Sequence, residues 1–180
     1  KLGSVGKPLP AIEVEIRDND GLILNALETG EIYVRGPQVS GEYEGSNVLD
    51  SDGWFPTRDA GFLDEEGYLF LSGRADDIIV RGGENISPGE IEDLMHQLLA
   101  VSDVAAIGIP SEEWGQVVAL AVVLLEDAEI TKEEICSYVR EHLRSSRVPE
   151  FIHFTRELPY NDTGKLLRRI VSEWFNPKSG

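Results

Sequence analysis

The chain has 180 residues and a formal net charge of −17 at pH 7, because 33 Asp and Glu outnumber 16 Lys and Arg. Such an acidic protein is a poor partner for the phosphates of nucleic acid or for an anionic membrane surface. Its only cysteine, Cys136, excludes an internal disulfide and a cysteine-based zinc site. With no signal peptide and no long apolar run, we expect a cytoplasmic protein of one large or two small domains, without a metal site of its own.

The first part of the chain, residues 1–73, predicts β-structure. Ile12, Val14 and Ile16 alternate with charged residues, which is the period of a half-buried strand. A turn rich in Asn, Asp and Gly follows, and Leu22 begins the predicted return strand. Further strands are predicted at 31–35, 62–63 and 68–71. No helix is predicted in this part.

The second part, residues 74–180, predicts a mixture of helices and strands. Ser87 with Glu90 and Thr131 with Glu134 each have the spacing of a capping box, which marks the start of a helix. We expect helices at 88–99, 132–143 and about 166–174, and strands at 104–109, 117–125 and 151–155. The fold class predicted from both parts is α+β, with a β-rich segment followed by a small α+β domain.

Four polar motifs stand out because of their order along the chain. They are Thr57–Asp59, Gly73–Asp77, Gly82–Pro88 and Asn161–Lys165, the last of which ends a tight polar turn just before an apolar run. In this order and spacing the motifs resemble the end of an adenylate-forming enzyme. That family contains acyl-CoA synthetases, peptide-synthetase adenylation domains and luciferases.

The resemblance implies roles for three residues near the middle of the chain. Asp59 would bind the ribose of ATP, since a carboxylate offers acceptors to two vicinal hydroxyls, and Arg74 would reach the same ribose. Asp76 would be the hinge about which the C-terminal domain turns between two half-reactions. Many family members carry Gly where this chain has Arg58. From the residues alone, Asp59 could equally be an exposed loop residue, and Arg74 could form a surface ion pair with Asp76.

The resemblance also implies roles for the two glycine-containing turns. Gly82, Gly83 and Glu84 would line the path of the pantetheine arm of CoA. Lys165 would be the catalytic cation at the α-phosphate, a task that suits a mobile point charge on a long stem. The residues alone leave open a plain double-glycine turn and an ordinary exposed lysine.

For the whole chain, the resemblance implies the last portion of a longer enzyme. Residues 1–73 would be the β-rich end of the large adenylation domain, and residues 74–180 the mobile C-terminal domain. The family's phosphate loop is not in the sequence and is expected upstream. Arg168 and Arg169 are expected to be solvated or to contact the phosphates of CoA.

The function implied is that of an ATP-dependent acyl-CoA synthetase, with ATP, Mg²⁺ and CoA as its ligands and fatty acid metabolism as its setting. An adenylation domain serving a carrier protein is one alternative. A non-catalytic interaction module that keeps the fold is another. The acyl substrate is not readable from the sequence.

Overall fold

The structure is a computed structural model, and it describes residues 1–40, 42–43 and 46–175. The chain divides into two compact units, Lys1–Ile78 and Ile79–Gly180. The boundary predicted from the change in composition, at residues 73 and 74, precedes the structural one. That the first unit is the end of a large adenylation domain stays a prediction.

The first unit is built from β-strands. They are β1 (Glu13–Arg17), β2 (Gly30–Arg35), β3 (Glu42–Tyr43), β4 (Ser46–Asn47), β5 (Phe55–Leu63) and β6 (Leu69–Arg74). The order β1-β2-β5-β6 forms an antiparallel sheet, and β3 pairs with β4. Ile16, Ile32 and Ala60 are buried on this sheet. Among the described residues of this unit the only helical segment is the 3-10 helix Ala75–Asp77.

The return strand predicted at Leu22 is wrong. Only an isolated bridge joins Arg17 to Ile23. Leu22 and Ile23 are 66% and 65% exposed. They therefore gain little burial that would hold them in an extended strand.

The described residues of the second unit form a five-stranded sheet, three α-helices and the 3-10 helix Ser145–Arg147. The strands are β7 (Ile79–Arg81), β8 (Glu84–Ile86), β9 (Val101–Ser111), β10 (Gly115–Leu124) and β11 (Phe151–Thr155). The helices are α1 (Pro88–Met95), α2 (Lys132–His142) and α3 (Arg168–Glu173). Strand β10 pairs antiparallel with β9 and parallel with β11, and it meets the β7–β8 hairpin at Arg81. The predicted α+β fold class is confirmed.

Strand β10 is buried on both faces, which explains its continuous apolar sequence. Val118 and Leu120 belong to a core cluster that includes residues of α1 and α2. Ala119 and Ala121 point to the opposite cluster, which contains Val171 of α3. The small alanines leave room for a helix to lie close to the sheet. The sheet is thus packed on both faces and holds the loops of this unit in place.

The two predicted capping boxes have different outcomes. At α2 the box is formed, because Thr131 Oγ1 accepts from the backbone N–H of Glu134 at 3.2 Å and the Glu134 carboxylate accepts from the N–H of Thr131 at 2.8 Å. At α1 the prediction is wrong, since the Ser87 side chain makes no capping bond. Glu90 instead accepts from Arg147 at 3.0 Å. An ion pair with a distant arginine has replaced the local capping bond.

Two helices are shorter than predicted. Helix α1 ends at Met95, and Leu99, which the pattern placed on its apolar face, is 94% exposed. Helix α3 spans Arg168–Glu173. In the part of the chain that the structure describes, no helix combines the length and apolar character needed to cross a membrane.

Candidate functional site

The turn Asn161–Lys165 is a compact hairpin held by one side chain. The Asn161 side-chain oxygen accepts from Thr163 N at 3.1 Å, Thr163 Oγ1 at 2.8 Å and Lys165 N at 2.8 Å. The backbone closes the turn, as Asn161 N–H donates to the Lys165 carbonyl at 3.0 Å. Gly164 has φ +78°, which favours glycine. We call these five residues the Lys165 hairpin.

The side chain of Lys165 is exposed at the end of this hairpin. Its ammonium group makes no hydrogen bond or ion pair with any residue that the structure describes. Lys1, by contrast, binds Asp64 and Glu66 at 2.6 and 2.9 Å. A fixed backbone therefore presents an unpaired cation, which is available to an anionic ligand.

The C-terminal side of the hairpin is anchored by Arg168, which contacts both α1 and β9. The Arg168 guanidinium binds the Glu92 carboxylate at 2.6 and 3.0 Å and the Ala106 carbonyl at 2.7 Å. The expectation that Arg168 is solvated is therefore wrong, because a partly buried carboxylate has engaged its donors. The alternative expectation, a contact with the phosphates of CoA, stays a prediction. Arg169 is 83% exposed and pairs only with Glu173.

A second turn joins β7 to β8 through two glycines, and we call it the Gly82–Gly83 turn. Gly82 and Gly83 have φ of +56° and +82°. Gly82 N–H donates to the Trp114 carbonyl at 2.8 Å, and a Cβ on Gly82 would lie 3.0 Å from the Trp114 ring. A Cβ on Gly83 would meet no described atom within 4 Å. The backbone at Gly83 is thus open to close approach by a ligand.

Glu84, the residue after this turn, is held by arginines. Its carboxylate accepts from Arg147, and Arg144 lies 3.4 Å away. Burial disfavours the charged form of Glu84, but hydrogen bonds from Arg147 and Ser146 and the two arginine charges outweigh it and keep its pKa below the ordinary value. Glu84 therefore ties the turn to the domain. Its predicted contact with CoA stays a prediction.

Asp59 and Arg74 are neighbours across β5 and β6. They are direct register partners, and the guanidinium of Arg74 binds the Asp59 carboxylate at 2.7 Å. Their side chains are 44% and 45% exposed. Arg74 thus pairs with Asp59 rather than with Asp76. The pair presents acceptors and donors together, which is the set that a vicinal diol requires.

Arg58, the residue before Asp59, has φ +60°. Glycine takes this left-handed conformation without strain, which agrees with the expectation of glycine at this position. Arg58 lies within β5, where the pairing with β2 shifts its register, and its N–H donates to Glu31 at 3.1 Å. Thr57 Oγ1 supports the next residue, since it accepts from Asp59 N at 3.1 Å and donates to the Ile32 carbonyl at 2.8 Å. Asp59 is therefore held by local hydrogen bonds while Arg58 takes a left-handed conformation.

Asp76 lies in the 3-10 helix Ala75–Asp77, close to the end of the first unit. Its predicted role as a hinge stays a prediction. Among the residues that the structure describes, no three His, Cys, Asp or Glu side chains form a group that could hold a metal ion.

Sequence reasoning missed two residues. Arg147 is only 9% exposed and joins Glu84 to Glu90. It follows two serines at the end of a helical pattern, and nothing local marks it as buried. Trp114 packs against Gly82 from the β9–β10 turn, where an aromatic residue beside Gly115 was the available signal.

The second unit has the fold of the C-terminal domain of adenylate-forming enzymes, with the Gly82–Gly83 turn near its start and the Lys165 hairpin near its end. Residues 90–165 match the family described as the AMP-binding enzyme C-terminal domain. The chain belongs to the adenylate-forming superfamily, of which it represents a C-terminal portion.

Individual relatives include CoA ligases and an amide-forming enzyme. A 2-succinylbenzoate–CoA ligase of Bacillus cereus (strain Q1) is 41% identical over 177 residues, which are 96% of this chain and 36% of the relative. The o-succinylbenzoate–CoA synthetase of Bacillus subtilis, solved with its acyl-adenylate intermediate, is 36% identical with a TM-score of 0.77, covering 95% of this chain and 36% of that one. The amide bond synthetase McbA of Marinactinospora thermotolerans is 35% identical with a TM-score of 0.79, covering 97% and 37%. The chain thus spans little more than a third of the length of these relatives.

Proposed function

We propose that this chain is the C-terminal part of an AMP-forming acid–CoA ligase. A carboxylic acid and ATP would give an acyl-adenylate and pyrophosphate, and CoA would then displace AMP to give the acyl-CoA. The proposal is supported by identities of 36–41% to CoA ligases across nearly the whole chain.

The observation that carries the proposal is the ammonium of Lys165, which stands on a fixed hairpin and has no partner among the residues that the structure describes. Attack of a carboxylate on the α-phosphate brings two anions together. A cation placed between them relieves this repulsion and stabilises the charge that develops on the α-phosphoryl oxygens. Because the hairpin is held by its own hydrogen bonds, little reorganisation is needed when the charge develops.

Asp59 and Arg74 would hold the ribose of the nucleotide. The Asp59 carboxylate would accept from the hydroxyls, and the Arg74 guanidinium would orient that carboxylate through the 2.7 Å contact. Asp76 would act as the hinge between the two half-reactions. Gly83 would let the pantetheine arm pass close to the backbone, since no side chain occupies that space.

Mg²⁺ would arrive bound to the phosphates of ATP. The described residues do not offer it a ligand group of their own.

The identity of the acid belongs to the proposal as well. The two CoA ligases named above act on succinylbenzoate, so we propose an acid of that aromatic keto type. The names of these ligases give no support for fatty acid metabolism. The similarity to an amide bond synthetase favours a second candidate, in which an amine rather than CoA is the acceptor. A carrier-protein thiol and a non-catalytic module remain the alternatives, and a cytoplasmic location stays our prediction.

The test is to express the complete enzyme that carries this chain and to measure pyrophosphate exchange with 2-succinylbenzoate and with a medium-chain fatty acid. Acid-dependent exchange is the expected result. Mass spectrometry of reactions that contain CoA, an amine or a carrier protein then identifies the acceptor, and acyl-CoA is the expected product. No exchange with any carboxylic acid would overturn the proposal in favour of a non-catalytic module.

A further inference from the structure

Tyr160 makes a contact that the reaction described above does not require. Its hydroxyl donates to the Asp103 carboxylate on β9 at 2.8 Å, although the tyrosine is 47% exposed. The other carboxylate oxygen of Asp103 accepts from Val104 N at 2.9 Å, which fixes its orientation. An exposed phenol can bond to water, so burial alone does not account for this long-range contact.

The contact between Tyr160 and Asp103 joins the Lys165 hairpin to β9. Tyr160 directly precedes the Lys165 hairpin and forms a β-bridge with Leu166, directly after it. Arg168 fixes the far side through Glu92 and Ala106. The hairpin is thereby attached to β9 on both sides, through Asp103 and through Ala106.

The phenol keeps its proton under ordinary conditions. Partial burial and the hydrogen bond to Asp103 raise the pKa of Tyr160 to about 12, and the charges of Asp103 and Glu92 act in the same direction while Arg168 opposes them. The hydroxyl therefore remains a donor at neutral pH.

We propose that Tyr160, held by Asp103, is a positioning residue for the ammonium of Lys165. This rests on the proposed function of Lys165. Loss of the Tyr160 hydroxyl leaves the hairpin attached through Arg168 and through the packing of Leu158 and Leu166 against the sheet. The polar contact that fixes the hairpin on the Asp103 side is then missing, so the hairpin can tilt on the sheet. Displacement of a transition-state cation by even about 1 Å is costly, because the stabilisation depends on a preorganised geometry.

The first test measures the attachment itself, in the complete enzyme, by hydrogen exchange of the amides of the Lys165 hairpin. In Tyr160→Phe these amides should exchange about three- to tenfold faster, which is the size expected for one hydrogen bond. Tyr138→Phe is the matched control, since Tyr138 is a partly buried tyrosine of the same unit on α2. It should leave exchange in the hairpin unchanged.

The second test separates positioning from general damage. Tyr160→Phe should lower the kcat of adenylate formation about three- to tenfold, with unchanged KM for the acid and unchanged thioester formation from supplied acyl-adenylate. Asp103→Ala should have the same effect, and the double variant should be no worse than either single variant.

The outcomes distinguish the proposal from the function on which it rests. Unchanged exchange in Tyr160→Phe, equal slowing of both half-reactions or additive effects in the double variant would overturn the positioning role while leaving the ligase assignment intact. If exchange accelerates but adenylate formation is unaffected, the contact anchors the hairpin without serving Lys165, and the proposal is wrong.

Discussion

The Lys165 hairpin and the Gly82–Gly83 turn have similar backbones but expose different groups. Both are tight turns of the second unit, and both use glycines with positive φ. In the Lys165 hairpin, the charged side chain of Lys165 has no partner among the described residues, and hydrogen bonds to the Asn161 side chain hold the backbone. In the second, Glu84 is tied to Arg147, and the open feature is the backbone at Gly83.

The difference teaches what each turn can contribute. The Lys165 hairpin can offer charge to an anion, whereas the Gly82–Gly83 turn can offer only space and peptide groups. We therefore expect the first to serve the step in which charge develops at phosphorus. The second is suited to the step in which a long, thin substrate must pass the backbone.

The largest effect is expected when the charge of the Lys165 hairpin is removed. Lys165→Ala in the complete enzyme should slow adenylate formation roughly 10²–10³-fold, because a preorganised charge at the transition state is lost. Pyrophosphate exchange measures this step. Lys132→Ala is the matched control, as Lys132 is an exposed lysine of the same unit at the start of α2, and it should have normal exchange. A deficit shared by both variants would point to net charge rather than to Lys165.

A smaller effect is expected when a side chain is added to the Gly82–Gly83 turn. Gly83→Ala should slow thioester formation about tenfold, because a side chain at φ +82° costs roughly 1–2 kcal/mol and projects into the open space. Thioester formation from supplied acyl-adenylate measures the step. Gly67→Ala is the control, since Gly67 has φ +79° and equally open surroundings in the first unit. Equal loss in the two variants would show strain alone.

Removing the ion pair between Arg147 and Glu84 tests how strongly the Gly82–Gly83 turn is held to the domain. Arg147→Met should lower the free energy of unfolding by about 2 kcal/mol, less than for a fully buried pair because Glu84 and Glu90 are 35% and 40% exposed. Denaturant unfolding followed by circular dichroism measures it. Arg144→Met, at a residue 81% exposed, is the control and should change little.

The same variant has a pH signature. The pKa of Glu84 is lowered in the folded protein, so its pairing stabilises the fold above the ordinary value of 4.5 and loses this effect as the pH falls through the lowered value. The difference in the free energy of unfolding between the parent and Arg147→Met should have its full size near neutrality. It should become smaller below about pH 4.5. A difference that is constant with pH would mean that Arg147 acts through packing alone.

The smallest effect extends the comparison to a position with positive φ that lacks glycine, within strand β5. Arg58→Gly should raise the free energy of unfolding by about 1 kcal/mol, because Arg58 holds a φ of +60°. Arg58→Ala keeps the Cβ and should bring no such gain. Thermal unfolding of both variants measures the difference in stability, and equal stability would show that the backbone at residue 58 carries no strain.

Patterns local in sequence predicted the fold well. The alternation in β2, the apolar runs of β9 and β10 and the Thr131 capping box depend on near neighbours, and each is present in the structure. The Asn161–Lys165 turn belongs to the same group. Its hydrogen bonds join residues at most four positions apart.

Contacts between distant residues could not be predicted in this way. Glu90 was assigned to a local cap, but it bonds to Arg147, 57 positions away. The sequence predicts that Arg168 is solvated or contacts the phosphates of CoA, but in the structure it binds Glu92, 76 positions away. In both cases a distant charged partner, invisible to the periodicity of the sequence, decided where the side chain lies.

The most direct test of the central claim measures both half-reactions for Lys165→Ala and Gly83→Ala in one preparation of the complete enzyme. The account predicts a crossed pattern, in which Lys165→Ala loses adenylate formation and keeps thioester formation while Gly83→Ala does the reverse. Equal loss of both steps in either variant would contradict it, because that turn would then support the fold rather than one chemical step.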